Sequence, residues 1–145
     1  MTSLLKGDGL ALVRGGRLLI EGLNLQLGAG EAVHLTGPNG SGKSSLIRLV
    51  AGLLRPNAGR IERSQAALAD DALALDREVP LGRALAFWGG PRLADAISAF
   101  ELQDLLPIPV RLLSTGQARR ARLARVAASG GPLWLLDEPL NGLDR

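Results

Sequence analysis

The sequence predicts an α/β fold: a central, mostly parallel sheet, an antiparallel β part at the N-terminus, and a helical segment over about residues 75–128. Three observations predict it. The apolar run EAVHLT at 31–36 passes through GPNGSGKSS into LIRLVAGLL, whose apolar residues have helical spacing. A second apolar run, LWLL at 133–136, ends in the acids Asp137 and Glu138. Between them, residues 65–106 are rich in alanine and leucine and mostly helical in character, broken at Pro80 and Pro91. A length of 145 residues with 46% hydrophobic content suits one domain, 1–145, around one core.

The elements follow in order. LALV and RLLI are short apolar runs separated by Gly15-Gly16, a turn signal. LNLQL alternates as a half-buried strand does, and Gly28 to Gly30 make a second turn. EAVHLT is expected to be a buried strand, with His34 as a satisfied core or edge residue. Ser44 to Leu54 is expected to be a helix, weakened by Gly52 and stopped by Arg55-Pro56-Asn57. GRIERS is a short strand, GQARRARLARVAAS a helix, and GPLWLLDEPLNGLDR a strand ending in acid and then a turn. No repeat or low-complexity tract interrupts this order.

Composition removes several classes. There is no cysteine, which excludes disulfides and thiolate metal sites, and one histidine cannot build a metal centre alone. No apolar run reaches the roughly 18–20 residues that span a bilayer, and the start is too glycine-rich for a signal peptide, so a soluble, non-exported protein is expected. A net charge of +3 does not by itself argue for nucleic acid, and with 3% aromatic residues and no tyrosine the stacking platform of a single-strand binder is missing. Arg119, Arg120, Arg122 and Arg125 read as a solvated helix face opposite Ala121, Leu123, Ala124 and Ala127.

The chemistry is concentrated at Gly37, Pro38, Asn39, Gly40, Ser41, Gly42, Lys43, Ser44 and Ser45. Gly37, four residues, then Gly42-Lys43-Ser44 is the P-loop spacing. Its glycines let successive backbone N–H groups curl around phosphate oxygens, and the following helix aims its positive end at the same point. Lys43 can reach the β- and γ-phosphates, and the Ser44 hydroxyl can ligate Mg²⁺. Asp137, at the carboxyl end of a buried parallel strand, would hold Mg²⁺ through water, and Glu138 would act as general base on the attacking water. At LSTGQ, Ser114 or Thr115 caps a helix and Gly116 allows close approach.

The ordered set GPNGSGKS, LSTGQ, LWLLDEP and NGLD resembles the ATP-binding subunits of ABC transporters over nearly the whole chain. PVRLLSTGQARRARLARVAASGGPLWLLDEPLNGLD and LGRALAFW are similar in particular to the heme-exporter ATP-binding subunits of cytochrome c biogenesis. The resemblance implies an ATPase with ATP and Mg²⁺ as cofactors and Lys43 and Glu138 as catalytic residues. It implies a second ATP-binding subunit facing the first head to tail, as a homodimer, and integral membrane subunits rather than nucleic acid as further partners. It implies a peripheral place on the cytoplasmic face of the inner membrane. Ser114, Gly116 and Gln117 would then serve the partner's ATP, and Asp144 would lie in the loop linking the two sites.

Three departures stand out. No aromatic residue precedes Phe87 to stack on adenine, and Arg14 lies near the expected place. The family's Mg²⁺-sensing glutamine has Gln65, Asp70 or Asp71 as candidates. The chain stops at Arg145, before the histidine-bearing strand that the resemblance would place beside the P-loop strand. The expectation is therefore a C-terminally truncated domain, with a slot in its sheet and unpaired backbone groups on either side. Two other readings are a nucleotide-binding remnant or regulator without turnover, and a soluble ABC-type ATPase acting on DNA or the ribosome.

Overall fold

Gly15 and Gly16 turn the chain between two twelve-residue strands, β1 (Ser3–Arg14) and β2 (Arg17–Gly28). The computed structural model describes residues 2–69 and 75–138; Asp70, Asp71 and Asp144 lie outside the described residues. RLLI and LNLQL, which read as separate runs, belong to the one strand β2. GRIERS supplies β3 (Ala58–Arg63), which pairs antiparallel with the other edge of β1, so the sheet order is β2-β1-β3. The central strand β1 buries Leu5, Leu10 and Leu12.

Helix α1 (Lys43–Ala51) buries Leu49 and Val50. It ends three residues earlier than its apolar spacing predicts, because Gly52 does more than weaken it. Gly52 adopts φ 83° as the left-handed residue after the helix. Its N–H donates to the Leu49 carbonyl at 3.1 Å, and the Leu53 N–H donates to the Arg48 carbonyl at 2.9 Å. That pair of bonds is the Schellman closure, which only a residue free to take positive φ completes at little cost.

The expected buried strand EAVHLT is not formed. Residues 31–38 belong to no strand, Val33 is 59% exposed and His34 is exposed. A strand exists through its ladder, and among the described residues none pairs with 31–36.

The chain divides into two compact units, Met1–Ala66 and Ala67–Arg145. At the start of the second, AALA forms β4 (Ala66–Ala69), although its composition favours helix. The reason is its partner. β5 (Leu133–Leu136) lies alongside it in parallel, and the Asp137 N–H donates to the Ala69 carbonyl at 3.0 Å. The parallel part of the described structure is this pair of strands.

Pro91 separates two helices, α2 (Leu81–Trp88) and α3 (Leu93–Ala99), while Pro80 stands at the start of α2 as its N-cap residue. Two 3₁₀ turns, Gln103–Leu105 and Val110–Leu112, then lead to α4 (Thr115–Ala128). Leu81, Ala84 and Leu85 of α2, Ala96 of α3, Leu102, and Ala121, Ala124 and Ala128 of α4 share one core. The small residues of α4 let its neighbours approach closely, and this overturns the expected solvated arginine face. Arg120 donates from Nη1 to the Phe100 carbonyl at 2.9 Å, at the C-terminal end of α3 where a cation is favoured. Arg125 is buried, donates from Nη2 to the Leu68 carbonyl, and lies 4.6 Å over the Trp88 ring. A buried guanidinium persists because carbonyl and aromatic groups replace its water.

Candidate functional site

The loop before α1 has the backbone its glycines permit. Gly37, Gly40 and Gly42 take φ 148°, 80° and 101°, a run that β-substituted residues rarely adopt. The Ser41 N–H closes a turn on the Pro38 carbonyl at 3.2 Å. Gly37 also sits where space is short, since a Cβ would stand 3.0 Å from Ser41 Oγ; at Gly42 a Cβ would meet Leu19 Cβ at 3.4 Å, an ordinary contact. Pro38, Asn39, Gly40 and Ser41 are exposed, while Lys43, Ser44 and Ser45 form the half-buried first turn of α1.

That first turn is prepared for an anion. Gly42 is the N-cap and offers no side-chain acceptor, and no acid stands in the first turn. The leading N–H groups and the positive end of the helix dipole therefore face a position that the helix's own residues do not neutralise. Lys43 donates from Nζ to the Gly37 carbonyl, so its charge lies across the two ends of the loop. These observations fit a triphosphate. The Ser44 hydroxyl, in the half-buried first turn of α1, is a hard oxygen donor of the kind Mg²⁺ takes beside phosphate oxygens. Arg14 is exposed, is the last residue of β1 and pairs across the turn with Arg17. The same end of the hairpin carries Leu19, which borders Gly42.

Asp137 and Glu138 stand where the sequence places them, directly after β5. Asp137 is half-buried, and its N–H continues the ladder to β4. Glu138 is exposed and has φ 48°, one of two non-glycine residues with positive φ among those described. Its carbonyl accepts from Arg119 Nη1 at 2.8 Å. Spacing alone gave no sign of this contact: Arg119 is separated from Glu138 by nineteen positions, and only the packing of α4 beside β5 brings them together.

At LSTGQ the two candidate caps resolve. Ser114 is the N-cap of α4: its Oγ accepts from the Gln117 N–H at 3.1 Å, and the Gln117 side chain accepts from the Ser114 N–H at 2.9 Å. This is the reciprocal capping box, and its sequence signal was present as Ser114-x-x-Gln117. Thr115 and Gly116 lie in the first turn behind it. Replacing Ser114 by alanine is expected to cost about 1 kcal/mol of stability, read as a lower urea midpoint at unchanged slope. Gln65 is exposed between β3 and β4.

A family model described as "ABC transporter" matches residues 20–141. Among curated proteins, the "Cytochrome c biogenesis ATP-binding export protein CcmA" of Sphingopyxis alaskensis is 55% identical; the aligned stretch covers all of this chain and 78% of that protein. The protein of the same description from Novosphingobium aromaticivorans is 61% identical over 93% of this chain and 72% of its own length. Among solved structures, an ATP-binding subunit of an ABC transporter superposes with a TM-score of 0.85 at 26% identity, covering 97% of this chain and 68% of that one.

Proposed function

The chain belongs to the ABC transporter family of ATP-binding subunits, and from that premise we propose that it binds and hydrolyses ATP to power an exporter of cytochrome c biogenesis, with heme or a heme carrier as its cargo. The observation that carries the nucleotide reading is the start of α1, an uncapped helix N-terminus behind three positive-φ glycines. Residues 1–145 are read as one ABC-type ATP-binding domain, with the helical segment at about 75–128 as its signature-bearing part.

The leading N–H groups of α1 bind the phosphate oxygens of ATP. Lys43 exchanges the Gly37 carbonyl for a phosphate oxygen, because an ionised acceptor makes the stronger hydrogen bond. Arg14 offers a planar guanidinium on which adenine can stack. Ser44 would hold Mg²⁺ directly and Asp137 through water; the ion, when bound, offsets negative charge on the phosphates. Glu138 takes the proton of the attacking water. In the capping box Ser114 Oγ accepts from the Gln117 N–H and keeps its own proton to donate, so Ser114, Gly116 and Gln117 can meet the γ-phosphate of a second copy's ATP. Asp144 would serve the loop that links the two sites.

The partners in this reading are a second copy of the chain and integral membrane subunits, at the cytoplasmic face of the inner membrane. Among the described residues no helix is long and apolar enough to cross a membrane, so attachment would run through those subunits. The chain is expected to release phosphate from ATP only when Mg²⁺ is present, and to co-purify from cells with an integral membrane protein. ATP that binds without turnover would assign it as a non-catalytic nucleotide binder, and recovery with DNA or ribosomes would remove the transport reading.

A further inference from the structure

We propose that Arg119 is a positioning residue for the hydrolytic step, holding the Glu138 backbone in the conformation that presents its carboxylate to the attacking water. The inference rests on the reading of Glu138 as the general base. Glu138 takes φ 48° directly after β5, a left-handed conformation that a non-glycine side chain holds when its surroundings over-determine it. Arg119 is one such constraint. From the second turn of α4 its Nη1 donates to the Glu138 carbonyl at 2.8 Å. The side chain is half-buried, and its Nε is buried with no hydrogen-bond partner among the described residues. Its guanidinium is thus partly withdrawn from water and turned to this carbonyl. The backbone dihedrals and the carbonyl direction together set the Cα–Cβ vector, so fixing the carbonyl fixes the point from which the carboxylate extends. The contact is to the main-chain carbonyl of Glu138 and does not use its carboxylate.

The test compares the full chain with its Arg119→Ala, Arg119→Lys and Glu138→Gln variants, in steady-state ATP hydrolysis and in equilibrium binding of a fluorescent ATP analogue. Arg119→Ala is expected to lower kcat tenfold or more while KM and analogue affinity stay within twofold. Arg119→Lys, which keeps a cationic donor, is expected to recover part of that loss. A role in folding alone predicts something else: kcat and affinity would fall together with the thermal midpoint, and lysine would not restore the rate; that pattern overturns the inference. Should Arg119→Ala not fold, Arg119→Gln carries the same comparison with a neutral donor. An unchanged kcat in Arg119→Ala beside an inactive Glu138→Gln overturns the role of Arg119 and leaves the base assignment standing. Full turnover in Glu138→Gln removes the base assignment and the inference with it.

Discussion

Replacing Lys43 by alanine is expected to weaken ATP binding about a hundredfold, equivalent to about 2.7 kcal/mol. The magnitude follows from what the ammonium group does in each state. Without nucleotide it donates to the Gly37 carbonyl, a neutral acceptor that water can replace. In the proposed complex it would face phosphate oxygens beside the uncapped start of α1, where the partial charges of the helix end point the same way. Truncation therefore removes a charge-assisted contact that exists fully only in the complex. The fold should tolerate the change, because Leu49 and Val50, not Lys43, anchor α1 in the interior. Titration with a fluorescent ATP analogue, with the thermal midpoint as control, measures it. An affinity within threefold of the parent chain would show that the loop does not hold triphosphate through Lys43.

Replacing Glu138 by glutamine is expected to lower kcat by about a hundredfold to ten-thousandfold and to leave ATP affinity nearly unchanged, the range expected when a positioned general base is removed. The substitution keeps the shape of the side chain. It also keeps the Glu138 backbone carbonyl that Arg119 contacts, so a lost rate reports the missing proton acceptor and not a collapsed turn. Phosphate release under saturating ATP and Mg²⁺ measures it. Equal rates in the two proteins would take the base role away from Glu138. The two variants fail in opposite ways, one in binding and one in turnover, and the contrast separates a hydrolysing subunit from a nucleotide-binding remnant.

The glycine loop before α1, the acids after β5 and the cap of α4 were legible in the chain because each depends on neighbours within a few positions. Glycines at 37, 40 and 42 must take positive φ wherever the loop sits, and a helix that starts on Gly42 has no side-chain cap. Ser114 and Gln117 cap each other across one turn whatever packs around them. The hairpin was likewise written in Gly15-Gly16 between two apolar runs.

Other features needed residues far apart to meet. AALA reads as helix by composition and is a strand because β5, more than sixty residues later, offers it a ladder. EAVHLT reads as a strand and is not one, since no described residue pairs with it. The arginines of α4 read as a wet face. In the folded chain Arg120 closes the end of α3, Arg125 stacks over the Trp88 ring, and Arg119 reaches Glu138. Short-range geometry, the positive-φ glycine loop before α1 and the cap of α4, was determined by the sequence alone, because backbone dihedrals and capping are local. Strand identity and the fate of long cationic side chains were decided by tertiary structure, because a ladder bond or a buried guanidinium is stable only when a distant segment supplies its partner.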